Sequence, residues 1–406
     1  MPEPTTERLP FEFMLSPEFG RDPYTEYGRL RERGPVHAID FPRGVPAFVV
    51  IDHEHGRQAL TDPRLAKGLG HAPGFFQDAV VRGNPALARN MLNSDPPDHT
   101  RLRRLVAGAF TARRTASLAP RIQEITDRLV DTMEAAGEAD LLDDFAFPLP
   151  ITVICELLGV PSADRADFRE WSASLITPAF TEEAARQRDA VNAAVRAYFA
   201  GLIDERRRAP RDDMISALVT ARDEEGLLSE QELLATLTLL LIAGHETTVN
   251  LIGNGMLALL THPAQLGLLR ERPELLPGAI EEFLRYEGPV ERATFRFATE
   301  DMEIAGVPVP KGGVVHVSLG AAGRDPAAFD DPDTLDVTRT GNHHLAFGHG
   351  IHFCLGAPLA RLEARIAFET LLSRLPGIRL ACPAEDVAWR LNGSLIRGLQ
   401  ALPVRF

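Results

Sequence analysis

The sequence predicts a mainly α chain with small β-sheets, an α+β arrangement, and three observations carry that prediction. Apolar residues recur at three- and four-residue spacing through most of the chain, the pattern of helices with one buried face. One such segment, 229–261, is apolar on most faces over about 33 residues, about 50 Å at helical rise, as befits a helix crossing the middle of a large domain. Strand-like runs are confined to roughly 35–60 and 290–320.

In chain order, a helical segment around 24–33 leads into β-like runs near 35–51, broken by Pro42, Gly44 and Pro46. Residues 67–93, rich in Gly, Pro and Phe without periodicity, read as a long loop, and long loops in compact domains are often functional. Helices are expected near 97–110, 118–136, 151–158, 182–207, 229–261 and 264–269. Ser229 and Glu232 form a capping-box pattern at the start of the longest, and Pro263 marks its end. A second β-rich stretch, 293–318, turns at Gly306, Gly312 and Gly313, and a Pro- and Asp-rich coil follows at 325–336. A Gly-punctuated loop, a last helix near 355–375 and a hairpin-like stretch around Asn392 and Gly393 complete the chain. No repeat or low-complexity linker divides it, so residues 1–406 are expected to form one domain.

Composition narrows the function. The 406 residues carry a net charge of −14, which disfavours nucleic acid and anionic lipid as partners. Three cysteines, Cys155, Cys354 and Cys382, make no disulfide framework and suit a reducing, cytoplasmic setting. The start MPEPTTERLPFEF shows no basic-then-apolar leader, and the apolar run 233–243 is shorter than a membrane span, so neither a signal peptide nor a membrane anchor is expected.

The chemistry concentrates in 347–356, FGHGIHFCLG. A cysteine just before a helix sits near the positive end of its dipole, which favours thiolate, and Gly348, Gly350 and Gly356 let backbone lie close to something flat and wide. Three readings are open on these residues alone: a thiolate metal ligand, an inert packed cysteine, and a zinc site using His343, His344, His349, His352 and Cys354. The last lacks the paired, short-spaced ligands of zinc clusters.

The pattern Phe347-Gly348-x-Gly350-x-His352-x-Cys354-x-Gly356 resembles the cysteine-ligand loop of the cytochrome P-450 haem-thiolate monooxygenases. With three further segments in matching order, the resemblance covers nearly the whole chain and is closest to soluble actinobacterial hydroxylases of macrolides, steroids and secosteroids. It implies the cytochrome P-450 fold, a single large triangular haem domain with a long central helix. It also implies haem b ligated by Cys354, whose electron-rich thiolate favours O–O cleavage in dioxygen. Ala243, Gly244, Phe347, Gly348 and Gly356 would lie against the macrocycle.

AGHETT, 243–248, interrupts the long helix; Thr247 is placed to bond back to the Ala243 carbonyl and open a groove. By resemblance Glu246 and Thr247 deliver protons on the oxygen side. Glu282 and Arg285, three apart on one helix face, would lock structurally to Arg339. His99 and Arg103, four apart on a helix, with Arg296 and His352, would hold the haem propionates, which need cationic partners when buried. Gly323 stands where relatives usually carry Asn.

No strand-GxGxxG-helix unit is present, so the resemblance implies a separate iron–sulfur ferredoxin and ferredoxin reductase, with NAD(P)H acting only through them. Arg101, Arg104, Arg113, Arg114, Arg361 and Arg365 are candidates for a ferredoxin-docking patch. Substrate-facing candidates are 74–91, 176–180, Leu240, Ala243, 290–295 including Val290 and Thr294, and Leu395 with Ile396. They are mostly apolar, fitting a hydrophobic polyketide, macrolide, terpenoid or steroid-like small molecule, hydroxylated or epoxidised by a monomeric enzyme. A peroxide-driven peroxygenase and a non-catalytic haem sensor are the rival readings. The acid–threonine pair argues against the first, and a groove open to oxygen against the second.

Overall fold

The computed structural model describes residues 8–77, 85–161, 164–177, 181–223, 227–390 and 395–406. The chain condenses into two compact units.

The first comprises Met1–Phe75, Asn254–Cys354 and Val387–Gln400. Its centre is a six-stranded sheet built from sequence-distant pieces. Val36–Asp40 and Pro46–Val50 form an antiparallel pair in which Val36 faces Val50 and Asp40 faces Pro46. Pro46–Val50 then runs parallel to Val314–Val317, which pairs antiparallel with Arg296–Ala298, and this in turn with Leu65–Ala66. Leu9–Pro10 closes the other edge. The β-branched residues the sequence places here suit a pleated surface with one buried face. Val36, Ala38, Phe48, Val50, Val315 and Val317 form its core with Leu60 and Leu345. A small hairpin, Met302–Ile304 with Val307–Val309, turns through Ala305 and Gly306, both at positive φ. The expected hairpin turn at Asn392 and Gly393 lies outside the described residues. Its flanks pair antiparallel, Trp389 with Leu399, and Arg390 N donates to Gly398 O at 2.8 Å.

The second unit comprises Phe76–Gly253, Leu355–Asp386 and Ala401–Phe406 and is almost wholly helical. Helices at Asp98–Ala107, Ala119–Ala136, Pro148–Leu158 and Glu182–Arg208 match the expected segments within a few residues. A three-stranded sheet joins Arg379–Leu380, Pro403–Arg405 and Glu138–Asp140. The long helix runs Glu230–Thr261, and its capping box forms: Glu232 N donates to Ser229 Oγ at 3.3 Å and Ser229 N to Glu232 Oε2 at 2.7 Å. By length and composition this helix could cross a membrane, yet 83% of its most apolar window is buried within the protein. It is a core helix.

Two expectations change. Residues 67–93 are not one structureless loop: short helical turns occur at Leu69–His71, Gly74–Gln77, Pro85–Ala88 and Met91–Asn93, each too brief to show a period in sequence, while 78–84 lie outside the described residues. Helices at His53–Thr61, Arg165–Ile176 and Met214–Asp223 were not expected from periodicity.

Candidate haem-thiolate site

In the first unit, the loop before Cys354 is shaped by two glycines. Gly348 and Gly350 sit at φ +72° and +74°, the left-handed region that L side chains disfavour. At Gly350 a Cβ would also come within 2.9 Å of Thr61 Cγ2, so glycine is needed there twice over. Cys354 N donates to Phe347 O at 2.8 Å, closing the loop on itself at the cysteine. Of the three cysteines, Cys155 is buried and Cys382 half-buried; Cys354 is exposed. Ile351 and Phe353, at 53% and 40% exposure, are the exposed large hydrophobics among the described residues. An exposed cysteine with two exposed large apolar side chains one and three positions before it suits a thiolate ligand to the iron of a flat, apolar macrocycle. The reading of a buried, inert cysteine fails because Cys354 is exposed.

The zinc reading has no support: among the described residues no group of three potential ligands gathers. His343 Nδ1 bonds Gly341 O at 2.6 Å and its ring stacks on Phe329, while His344 Nε2 lies 3.2 Å from Glu281.

Also in the first unit, Arg296 is buried on its strand, with Nη2 donating to Leu60 O at 3.3 Å, and His352 is half-buried. Glu282, fully buried, accepts both Nε and Nη2 of Arg285 at 2.7 Å and Nε of Arg339 at 3.1 Å. Arg285 reaches on to the carbonyls of Gly323, Pro332 and Thr334. Gly323 follows from this close approach, since an added Cβ would lie 2.5 Å from Arg285 O. Val290 forms a bridge with Ile396, and Glu291 N donates to Leu395 O at 2.9 Å, so two of the substrate-facing stretches are backbone neighbours. Lys67, which lies in none of the sequence motifs, is buried against Thr294 and Phe295. Its signal was compositional: it is one of two lysines in an otherwise arginine-only chain.

In the second unit, Ala243 is exposed and Gly244 half-buried in the middle of an otherwise buried helix. Thr247 Oγ1 donates to Ala243 O at 3.0 Å, the expected back-bond. Glu246 is buried next to this opening, with Asn250 Nδ2 donating to its backbone O at 2.6 Å, and His245 Nδ1 lies 2.7 Å from Leu241 O. Gly244 permits tight packing: a Cβ would sit 2.6 Å from Ile154 Cγ1. Leu240 is buried one turn earlier. His99 is buried and Arg103 half-buried on Asp98–Ala107; burial, and secondarily Arg103, push the His99 imidazole below its ordinary range.

The docking set needs one correction. Arg101 is engaged internally, donating to Glu232 Oε1 at 2.5 Å, Asp98 Oδ1 at 2.8 Å and Leu227 O at 2.6 Å. Arg104, Arg113 and Arg114 are exposed. Residues 178–180 of the substrate-facing set lie outside the described residues.

A model of the cytochrome P450 family matches residues 166–377. Cytochrome P450 monooxygenase PikC of Streptomyces venezuelae is 50% identical over 395 residues, covering 97% of this chain and 93% of that protein. Vitamin D(3) 25-hydroxylase of Pseudonocardia autotrophica is 44% identical, covering 96% and 95%. Among solved structures, the cytochrome P450 enzyme CxnD, described as acting in C–S bond formation in chuangxinmycin biosynthesis, superposes with a TM-score of 0.95 at 48% identity over 99% of this chain and 98% of that one. The exposed cysteine, the glycine-shaped loop, the back-bonded threonine within the long helix and the end-to-end similarity agree: the chain belongs to the cytochrome P450 family and is a haem monooxygenase.

Proposed function

We propose that this monooxygenase hydroxylates or epoxidises a hydrophobic polyketide, macrolide, terpenoid or steroid-like molecule, working as a cytoplasmic monomer with electrons from an iron–sulfur ferredoxin and its reductase. The observation that carries the reading is the exposed Cys354 thiol on its glycine-shaped loop. When bound, haem b supplies dioxygen activation and the oxidising power to place one oxygen atom in a C–H or C=C bond, the other leaving as water, with NAD(P)H electrons arriving through redox partners.

The chain's own residues hold and supply. Cys354 would supply the thiolate that holds the haem iron, and Phe347, Gly348, Gly356, Ala243 and Gly244 would present small or flat surface to the ring. His99, Arg103, Arg296 and His352 would hold the haem propionates by charge-assisted hydrogen bonds. Glu246 is the proton source for the oxygen side, and Thr247 orients the water or hydroxyl that carries the proton, its bond to Ala243 O fixing its rotamer. Leu240, Val290, Thr294, Leu395 and Ile396, apolar except for Thr294, would contact the substrate. Glu282, Arg285 and Arg339 act on structure only. Exposed Arg104, Arg113 and Arg114 draw an acidic ferredoxin, so association weakens with salt.

Absorption titration of the haem-loaded protein against lipophilic natural products, followed by turnover under labelled dioxygen, tests this. Incorporation of one labelled oxygen per product, dependent on ferredoxin, is the expected result. Turnover by peroxide alone exceeding that with dioxygen and ferredoxin overturns it.

A further inference from the structure

The Leu65–Ala66 strand pairs with Arg296–Ala298 so that Leu65 faces Ala298 and Ala66 faces Phe297. That ladder carries the next residue, Lys67, alongside the end of the 290–295 stretch. Lys67 is only 3% exposed. Its Nζ donates to Thr294 Oγ1 at 2.6 Å and to Phe295 O at 2.7 Å.

An ammonium has hydrogens and no lone pair, so it can only donate. Thr294 Oγ1 is therefore the acceptor in that contact, and the hydroxyl hydrogen must point elsewhere. Among the described residues Lys67 is the hydrogen-bond partner recorded for Thr294, and no protein acceptor receives that hydrogen. Thr294 is half-buried rather than sealed, so its O–H remains open to a ligand. The cation also polarises the hydroxyl, making it a better donor. Phe295 on the other side is braced by its ring 4.2 Å from that of His316. Buried under desolvation, and next to Arg292 and Lys67, His316 is held well below its ordinary pKa and stays neutral, adding no competing cation.

We propose that Lys67 is a positioning residue which makes Thr294 a fixed hydrogen-bond donor in an otherwise apolar wall, so that the enzyme favours substrates presenting a ketone or lactone carbonyl there over hydrocarbons of the same shape. This rests on the reading of 290–295 as substrate-facing. It adds to that reading a polarity: at this point the wall offers a hydrogen to an oxygen lone pair.

The test uses haem-loaded protein and three rings of similar size: cyclopentadecanone, oxacyclohexadecan-2-one and cyclopentadecane. The quantity read is the ratio of the hydrocarbon's dissociation constant to that of each carbonyl compound, by calorimetry or haem absorption. A ratio cancels general loosening of the pocket, which a merely structural role for Lys67 would produce for all three. Thr294→Val is expected to lower the ratio about fivefold to tenfold, the worth of one hydrogen bond. Lys67→Met should lower it by a similar factor at unchanged haem content, and Thr294→Ser should restore it. If Thr294→Val collapses the ratio and Lys67→Met does not, the role of Lys67 is overturned while the substrate-facing reading stands. If neither variant moves the ratio, or if no carbonyl ring binds, 290–295 does not present Thr294 to substrate and both fall.

Discussion

Glu363 lies on the Ala357–Arg374 helix, is 1% exposed, and neither carboxyl oxygen meets a hydrogen-bond partner among the described residues. Burial alone pushes its pKa well above the ordinary 4.5. The folded protein therefore holds the proton more tightly than the unfolded chain. The stabilising effect of that proton is fully present below the ordinary pKa and is lost as pH rises toward the folded value. Replacing the group by a non-ionising isostere removes the dependence. Glu363→Gln should thus match the parent below about pH 4.5 and then gain on it by about 1.4 kcal/mol per pH unit, for as long as the buried carboxyl keeps its proton. Glu363→Met, which also removes the two orphaned oxygens, should be more stable than Glu363→Gln by about 1–3 kcal/mol at every pH. Urea midpoints at pH 4.5, 5.5 and 6.5, at matched haem loading, give the difference directly. A gap between parent and Gln variant that stays constant across these pH values refutes the argument, since it would mean that the carboxyl ionises in place beside a counter-charge.

Cys354→Ser should abolish turnover and change or remove the visible absorption of the purified protein, checked by spectrum and iron content. Thr247→Ala should keep haem but divert electrons into hydrogen peroxide, read as the ratio of product to NAD(P)H consumed; coupling equal to the parent's would remove Thr247 from proton delivery. Arg285→Met removes the nearer of the two guanidinium groups on buried Glu282, leaves Arg339 as its remaining cation, and takes the donor away from three main-chain carbonyls, so it should destabilise by about 3–5 kcal/mol; Arg339→Met should do less, because Glu282 keeps its two bonds to Arg285, and denaturant unfolding ranks them. Charge reversal at Arg104 and Arg113 should raise the apparent ferredoxin KM, while Arg101, occupied by Glu232 and Asp98, is expected to register in stability instead.

What could be read in the sequence was what is written locally. The capping box of Ser229 and Glu232 spans three residues, the Thr247 back-bond four and the Glu282–Arg285 pair three, so spacing alone announced each. The amphipathic helix on which both His99 and Arg103 sit carries its period within one or two turns. Tertiary choices were not legible. Lys67 finds Thr294 across 227 positions, and Arg101 finds Glu232 across 131, which turned an expected surface cation into an internal one. The need for glycine at 323 is visible only where the Arg285 carbonyl comes against it. The turns between 69 and 93 are shorter than any helical repeat and leave no periodic trace.

The contact between Gly350 and Thr61 has a practical corollary for anyone wishing to move this cysteine segment into another scaffold. The segment is indexed against the end of the His53–Thr61 helix, nearly 300 positions earlier in the chain, at a clearance too small for a methyl group. A transplant that brings 347–356 without that distant abutment would carry the right letters and lose the register that aims the sulfur.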